Sequence, residues 1–107
     1  MESKTFSYFG FAIKSGNLRT GANTISGIKK RVYLIALCRS ASENAKSCAE
    51  KFAKKFGCPL IESTSRDLSE YVGKENCKIV AITEKQLSEA ILKNIGLDFT
   101  VLIGREG

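Results

Sequence analysis

Apolar residues along this chain fall into two kinds of pattern that alternate. Phe6, Phe9, Gly10 and Ile13 recur at helical spacing and Gly16 follows as a stop, which predicts a first helix over roughly residues 3–15. Leu18-Arg19 reads as a short extended link or edge strand. Thr20 is placed to cap a second helix running to about Lys30, with Ala22, Ile25 and Ile28 inward and Gly27 weakening it. The run from Val32 to Cys38 is continuously apolar, the mark of a central strand covered on both faces.

The second half repeats the alternation. Ser40 and Glu43 have capping-box spacing and open a third helix whose buried face is Ala45, Cys48, Ala49, Phe52 and Phe56. Gly57 and Pro59 end it, and Cys58 to Ile61 forms a second core strand. Leu68, Tyr71 and Val72 line a brief helix closed by Gly73, and Cys77 to Ile82 is a third core strand. Thr83 and Gln86 make another capping box, followed by Leu87, Ala90, Ile91 and Ile95 facing inward until Gly96. Strands separated by helices need crossover connections, so the expected fold class is α/β: a three-layer α/β/α sandwich on a mixed central sheet of about four strands. The expected division is a domain over residues 1–96 and an apolar C-terminal extension over 97–107. That extension, Leu97 to Ile103 and beyond, docks either on its own body or on a neighbour, because an exposed apolar strand invites association.

Length and charge sharpen this picture. At 107 residues the chain fits one domain and can bury a core without disulfides or metal. The net charge of +6 is unevenly spread. Residues 1–31 carry six basic groups (Lys4, Lys14, Arg19, Lys29, Lys30, Arg31) against Glu2 alone, whereas residues 32–107 hold eleven basic and ten acidic groups. A localised basic surface favours a polyanion such as RNA; the plain alternative is a surplus that only aids solubility. The four cysteines form no CxxC pair and there is no His, so zinc-ligand spacing is absent and no metal or cofactor is expected. Buried, reduced thiols, no signal-peptide pattern and no membrane-spanning apolar stretch lead to the expectation of a cytoplasmic protein. Without a His base, a Gly-x-Ser-x-Gly elbow or a Walker loop, catalysis has poor support, and Cys38 is the one plausible nucleophile.

Two polar segments carry the functional reading. Thr20-Gly21-Ala22-Asn23 opens a helix, whose free backbone N–H groups suit phosphate, and an Asn there can read a purine edge. Val72-Gly73-Lys74-Glu75-Asn76 is a polar loop closing another helix. Gly10 to Gly16 with Leu18, Thr20-Gly21, Ala41-Ser42-Glu43-Asn44, Leu68 with Val72-Gly73-Lys74-Glu75, and Val80-Ala81-Ile82-Thr83 together resemble the L-seven-Ae and L-thirty-e kink-turn RNA-binding family of ribosomal proteins. The likeness is strongest to its small bacterial YlxQ-type members and runs over about residues 6–95.

That resemblance implies an α/β/α sandwich and a non-enzymatic, ribosomal or ribosome-associated protein of ribonucleoprotein type that binds structured RNA. Family members that bind kink-turns start the second helix with a Gly-x-Asn-Glu run that reads sheared G·A pairs. Gly21 and Asn23 match that run, while Thr24 replaces the Glu and Gly27 stands where a phosphate-binding Lys is usual. Lys14, Arg19, Lys30 and Arg31 would meet flanking phosphates. The loop of Gly73, Lys74, Glu75 and Asn76 would meet a protruding nucleotide, although archaeal members are apolar there. Plainer roles exist for each: a helix cap for Thr20, a tight turn for Gly21, a solvated amide for Asn23, a helix stop for Gly73. The alternative is a protein-interaction module on the same fold that has lost RNA affinity, with self-association through the C-terminal segment.

Overall fold

The computed structural model describes residues 4–75, 77–96 and 98–103. Its elements run α1 (Lys4–Lys14), β1 (Leu18–Thr20), α2 (Ala22–Ser26), β2 (Leu34–Leu37), α3 (Glu43–Phe56), β3 (Leu60–Ser63), α4 (Leu68–Val72), β4 (Ile79–Ile82), α5 (Lys85–Lys93) and β5 (Phe99–Ile103). The sheet has five strands, one more than expected, in the order β1-β4-β2-β3-β5. Only β2 and β3 are parallel neighbours, joined across α3; the other pairs are antiparallel.

The fully apolar runs explain the centre of the sheet. All four residues of β2 and all four of β4 are buried, and they pair in the register Leu34↔Ile82 to Leu37↔Ile79. Side chains alternate between faces along a strand. Leu34, Ala36, Cys38, Ile61, Val80 and Ile82 therefore enter one core with Phe9 and Ala12 of α1, Leu68 and Tyr71 of α4 and Ile91 of α5. Ile35, Leu37, Leu60, Ile79 and Ala81 enter the other with Ile25 of α2 and Ala49 and Ala53 of α3. The sandwich thus has three layers, as the sequence leads one to expect. In the first core, Tyr71 sits 5.6 Å from the rings of Phe6 and Phe9 and 5.0 Å from Phe99, so one aromatic cluster ties α1, α4 and β5 together.

Phe99 also settles where the tail goes. Residues 99–103 pair with β3 from Ser63↔Phe99 to Leu60↔Ile103, so that stretch docks on its own body as an edge strand. Leu97, residues 104–107 and residue 3, the expected first residue of the first helix, lie outside the described residues.

Several local expectations are corrected. The second helix stops at Ser26, not Lys30. Ser26 Oγ donates to Asn23 O at 2.8 Å, and the amides of Gly27 and Ile28 bond three residues back, so the chain tightens and leaves the helix. Thr20 does not cap it; Thr20 ends β1, and the cap position is Gly21 with no side-chain bond. Ser42, not Ser40, caps α3, accepting from Ala45 N at 3.2 Å. Ser40 is engaged elsewhere, by Cys38 Sγ at 3.2 Å and Lys78 Nζ at 2.9 Å. Glu84, not Thr83, caps α5 through Leu87 N; the amide and hydroxyl of Thr83 both donate to Asn17 O. The second core strand is shifted from Cys58–Ile61 to Leu60–Ser63, because Cys58 and Pro59 complete the turn out of α3.

The four cysteines are free thiols divided by the sheet, with Cys38 and Cys77 on the α1 side and Cys48 and Cys58 on the α3 side. Burial pushes the Cys58 thiol up from 9.0 to about 11. The folded chain then holds this proton more tightly than the unfolded chain does. The resulting stabilisation is complete below the unfolded pKa and is lost as pH rises from about 9 towards 11, with a slope of at most ~1.4 kcal/mol per pH unit. Urea unfolding of the wild type and Cys58→Ala across this range should show a shallower decline in the variant, in which Cys77 and Tyr71, also raised by burial, still contribute.

Burial also separates structural from dispensable apolar residues. Ile35→Ala, in the buried sheet centre, should lower unfolding stability by about 2–5 kcal/mol. Phe11→Ala, on the outer face of α1 and 60% exposed, should change it by no more than about 0.5 kcal/mol. Equilibrium urea denaturation of the two variants checks both.

Candidate nucleic-acid interface

The β1–β4 register, Thr20↔Val80, puts the end of β1 beside the start of β4. Gly21 is therefore delivered to the end of the sheet where β2 finishes and where α4 hands over to β4. Gly21 N donates to Ile79 O at 3.1 Å, and Gly21 turns the chain at φ 88°, ψ 143°, a conformation that disfavours any side chain. The first helical bond of α2 runs from Ile25 N to Gly21 O at 3.0 Å, so the amides of residues 22–24 have no acceptor within the helix. Asn23 and Thr24 are exposed beside them.

The second polar segment arrives at the same place. Gly73 ends α4 in the left-handed region, φ 68°, and its amide returns to Ser69 O at 2.8 Å. The chain then turns back, and Lys74 Nζ donates to Thr20 Oγ1 at 3.2 Å across 54 residues of sequence. Thr20, Gly21, Lys74, Glu75, Cys77 and Lys78 line a hollow of about 170 Å³. That is well below the ~300–1,000 Å³ of small-molecule sites. It is a notch between two segments, with Lys74 and Lys78 on its wall. Asn76 lies outside the described residues.

The other expected contacts do not all join this group. Arg19 lies in β1, and its Nη1 folds back onto Gly16 O at 2.7 Å and Leu18 O at 3.2 Å. Lys14 closes α1 and lines a hollow with Phe6 and Gly10 of the same helix and Tyr71 of α4. Lys30 and Arg31 lie in the connection from α2 to β2, which reaches the sheet where Tyr33 N bonds Ile82 O at 2.9 Å. That is the opposite end of β4 from Ile79 and Gly21. The antiparallel pairing of β2 with β4 is the cause: β2 begins opposite Ile82, so the residues leading into it lie at that end.

A polar cluster assembled by the strand register adjoins the notch at the end of β2. Arg39 N donates to Ser63 Oγ at 2.9 Å, Arg39 Nη1 to Thr64 O at 3.3 Å, and Arg39 Nε meets Asp67 Oδ1 at 3.0 Å. The ion pair is half-exposed and contributes little stability, but it fixes the guanidinium over the ends of β2 and β3. Asp67 and Glu70 complete a capping box on α4. Beneath them, Cys38 Sγ accepts from Leu68 N at 3.3 Å. Burial pushes the Cys38 thiol up, but its hydrogen bonds with Ser40 and Leu68 outweigh that and hold it below its ordinary value. Burial raises Cys77, partly opposed by Lys74. Capping-box spacing at Asp67 and Glu70 was readable in the sequence; the convergence of Arg39, Ser40 and Lys78 was not, since it depends on strand register. Among the described residues, no group of three or more acidic or thiol side chains converges to hold a metal, and no helix is long and apolar enough to cross a membrane.

No family model and no curated protein matches the chain. A solved protein of unknown function from Bacillus halodurans C is similar in structure, with a TM-score of 0.72 at 20% identity, over 86% of this chain and 96% of that one. At that identity the likeness shows the fold.

The Cys38 environment makes a direct prediction. Ser40→Ala removes the hydroxyl that favours the thiolate, so the Cys38 pKa should rise. A carbon-13 NMR titration of the Cys38 β-carbon in both proteins reads the direction; an unchanged or lower pKa in the variant would show that the Ser40 contact is not its cause.

Proposed function

We propose that this protein is a non-enzymatic binder of structured RNA, with a kink-turn or a similar internal loop as its target. The observation that carries the reading is the meeting of two segments far apart in sequence, marked by the Lys74–Thr20 bond. Those are the segments that the family resemblance pairs in one RNA site. In this mechanism, Asn23 hydrogen-bonds a base edge, and the free amides at the start of α2 face the backbone. Lys74 and Lys78 neutralise phosphates beside the notch. Gly73, Lys74 and Glu75 border the space for a protruding nucleotide. RNA internal loops are recognised through shape and unpaired bases, which suits two segments held by one rigid sheet.

Binding rather than catalysis is the better account of the polar groups. The Cys38 thiol is held below its ordinary value, yet it is only 1% exposed, so a substrate has no path to it. A ribosomal or ribosome-associated setting belongs to this proposal as the source of such RNA.

A protein-interaction module is the second reading. Phe11 and Ile13 on α1 and Val101 and Leu102 on the β5 edge are large apolar side chains left exposed. Apolar surface of this kind is what a protein partner, or a second copy, would cover.

Gel shifts with a simple kink-turn and a plain duplex separate the two. Asn23→Ala should weaken kink-turn binding by about 1–3 kcal/mol. Lys74→Gln should weaken binding and reduce the salt slope by about one. Lys30→Ala, at the far end of the sheet, should do less than either. The RNA reading is falsified if the wild type binds the kink-turn no better than the duplex, and the interaction module then takes its place.

A further inference from the structure

A second hollow lies at the other end of the sheet from the notch. It encloses about 320 Å³ among Arg31, Tyr33, Gly57, Cys58, Pro59 and Lys85. Three parts of the chain build it: the run from α2 into β2, the turn out of α3, and the first residue of α5. Pro59 O accepts from Ile35 N at 3.0 Å, which pins the α3 turn against the start of β2. The volume lies at the bottom of the roughly 300–1,000 Å³ range of small-molecule sites, and nearly doubles that of the notch.

Its charge is one-sided. Arg31 and Lys85 both line it, and none of the described residues lining it is acidic. The nearest acid in sequence, Glu84, is turned to the α5 backbone, where its Oε2 accepts from Leu87 N at 2.6 Å, and it lines a different hollow with Tyr8 and Phe11. The Cys58 thiol in the wall is held protonated by burial and adds no negative charge at neutral pH. Lys54 and Lys55, in the last turn of α3, bring further positive charge to the same end of the molecule. Arg31 is also positioned: its guanidinium lies over the Tyr33 ring, 5.4 Å from the centroid. An arginine held on an aromatic face keeps its planar fork oriented, and that fork matches the oxygens of a phosphate.

We propose that this hollow is a second ligand site, which seats the phosphate of a phosphate ester between Arg31 and Lys85. It is independent of the notch around Gly21 and Lys74 and does not rest on the RNA reading. The ester is either a terminal phosphate on a nucleoside or a backbone phosphate of an RNA strand, because each presents at least two non-bridging oxygens to the Arg31 fork.

Amide and arginine-side-chain NMR of the whole chain tests it with four additions: adenosine monophosphate, inorganic phosphate, adenosine, and a short single-stranded RNA without a terminal phosphate. Saturable shifts at Arg31, Gly57 and Lys85 with adenosine monophosphate and phosphate, and none with adenosine, assign a terminal phosphate. The same shifts with the RNA alone assign a backbone phosphate. In either case Arg31→Gln and Lys85→Gln, both at exposed positions, should each weaken binding about tenfold, and Asn23→Ala should leave it unchanged. Absence of shifts at these residues with all four additions overturns the proposal. So does binding that persists unweakened in the Arg31→Gln, Lys85→Gln double variant. Failure of kink-turn binding with these shifts intact would remove the RNA reading and leave this site standing.

Discussion

The burial of β2 and β4 on both faces is the constraint from which the rest of the molecule follows. Two four-residue strands with no polar side chain must be covered above and below. That requirement recruits α1, α4 and α5 to one side and α2 and α3 to the other. It also fixes the register, because a slip of one residue would send Leu34 and Ile82 to the wrong core. With register fixed, the loops at each end of the sheet have little choice of position. The short spans of β1 and β4 then bring Thr20 to Lys74 at one end and the Arg31 segment to the α3 turn at the other.

The hollows lined by polar side chains at the ends of the sheet differ in their charge. At the end where β2 finishes, backbone groups are shared with side chains: Arg39 with Ser63 and Thr64, Cys38 with Ser40 and Leu68. Acidic groups are present there too, since Asp67 and Glu70 cap α4 and Glu75 borders the notch. Its positive field is therefore local to Lys74 and Lys78. At the opposite end Arg31, Lys54, Lys55 and Lys85 gather with no acid in the lining of the hollow among the described residues. The basic excess of residues 1–31 is thus divided by the fold rather than concentrated beside Asn23.

The division between readable and unreadable features is physical. The apolar run around Leu34–Leu37 reads directly as a central strand, because only a strand covered on both faces tolerates such a sequence. The helical period of α3 and the stops at Gly57 and Gly73 are equally legible, being set by local geometry. The caps were less so. Ser40, Ser42, Thr83 and Glu84 are all chemically able to cap a helix. Lys78 and Asn17, distant in sequence, took Ser40 and Thr83 out of that role.

The sequence alone determined the layered α/β class, the strands at the centre of the sheet, the two polar segments and the protein's basic character. These depend on composition and on periods of two and 3.6 residues. Tertiary structure alone decided that residues 99–103 become a fifth strand, since pairing with β3 is a contact across some forty residues of chain. It alone decided that Lys74 joins Thr20 while Lys30 and Arg31 do not. Those outcomes turn on the antiparallel pairing of β2 with β4 and on which strand edges remain open. Neither is local, so neither is written in the pattern of any one segment.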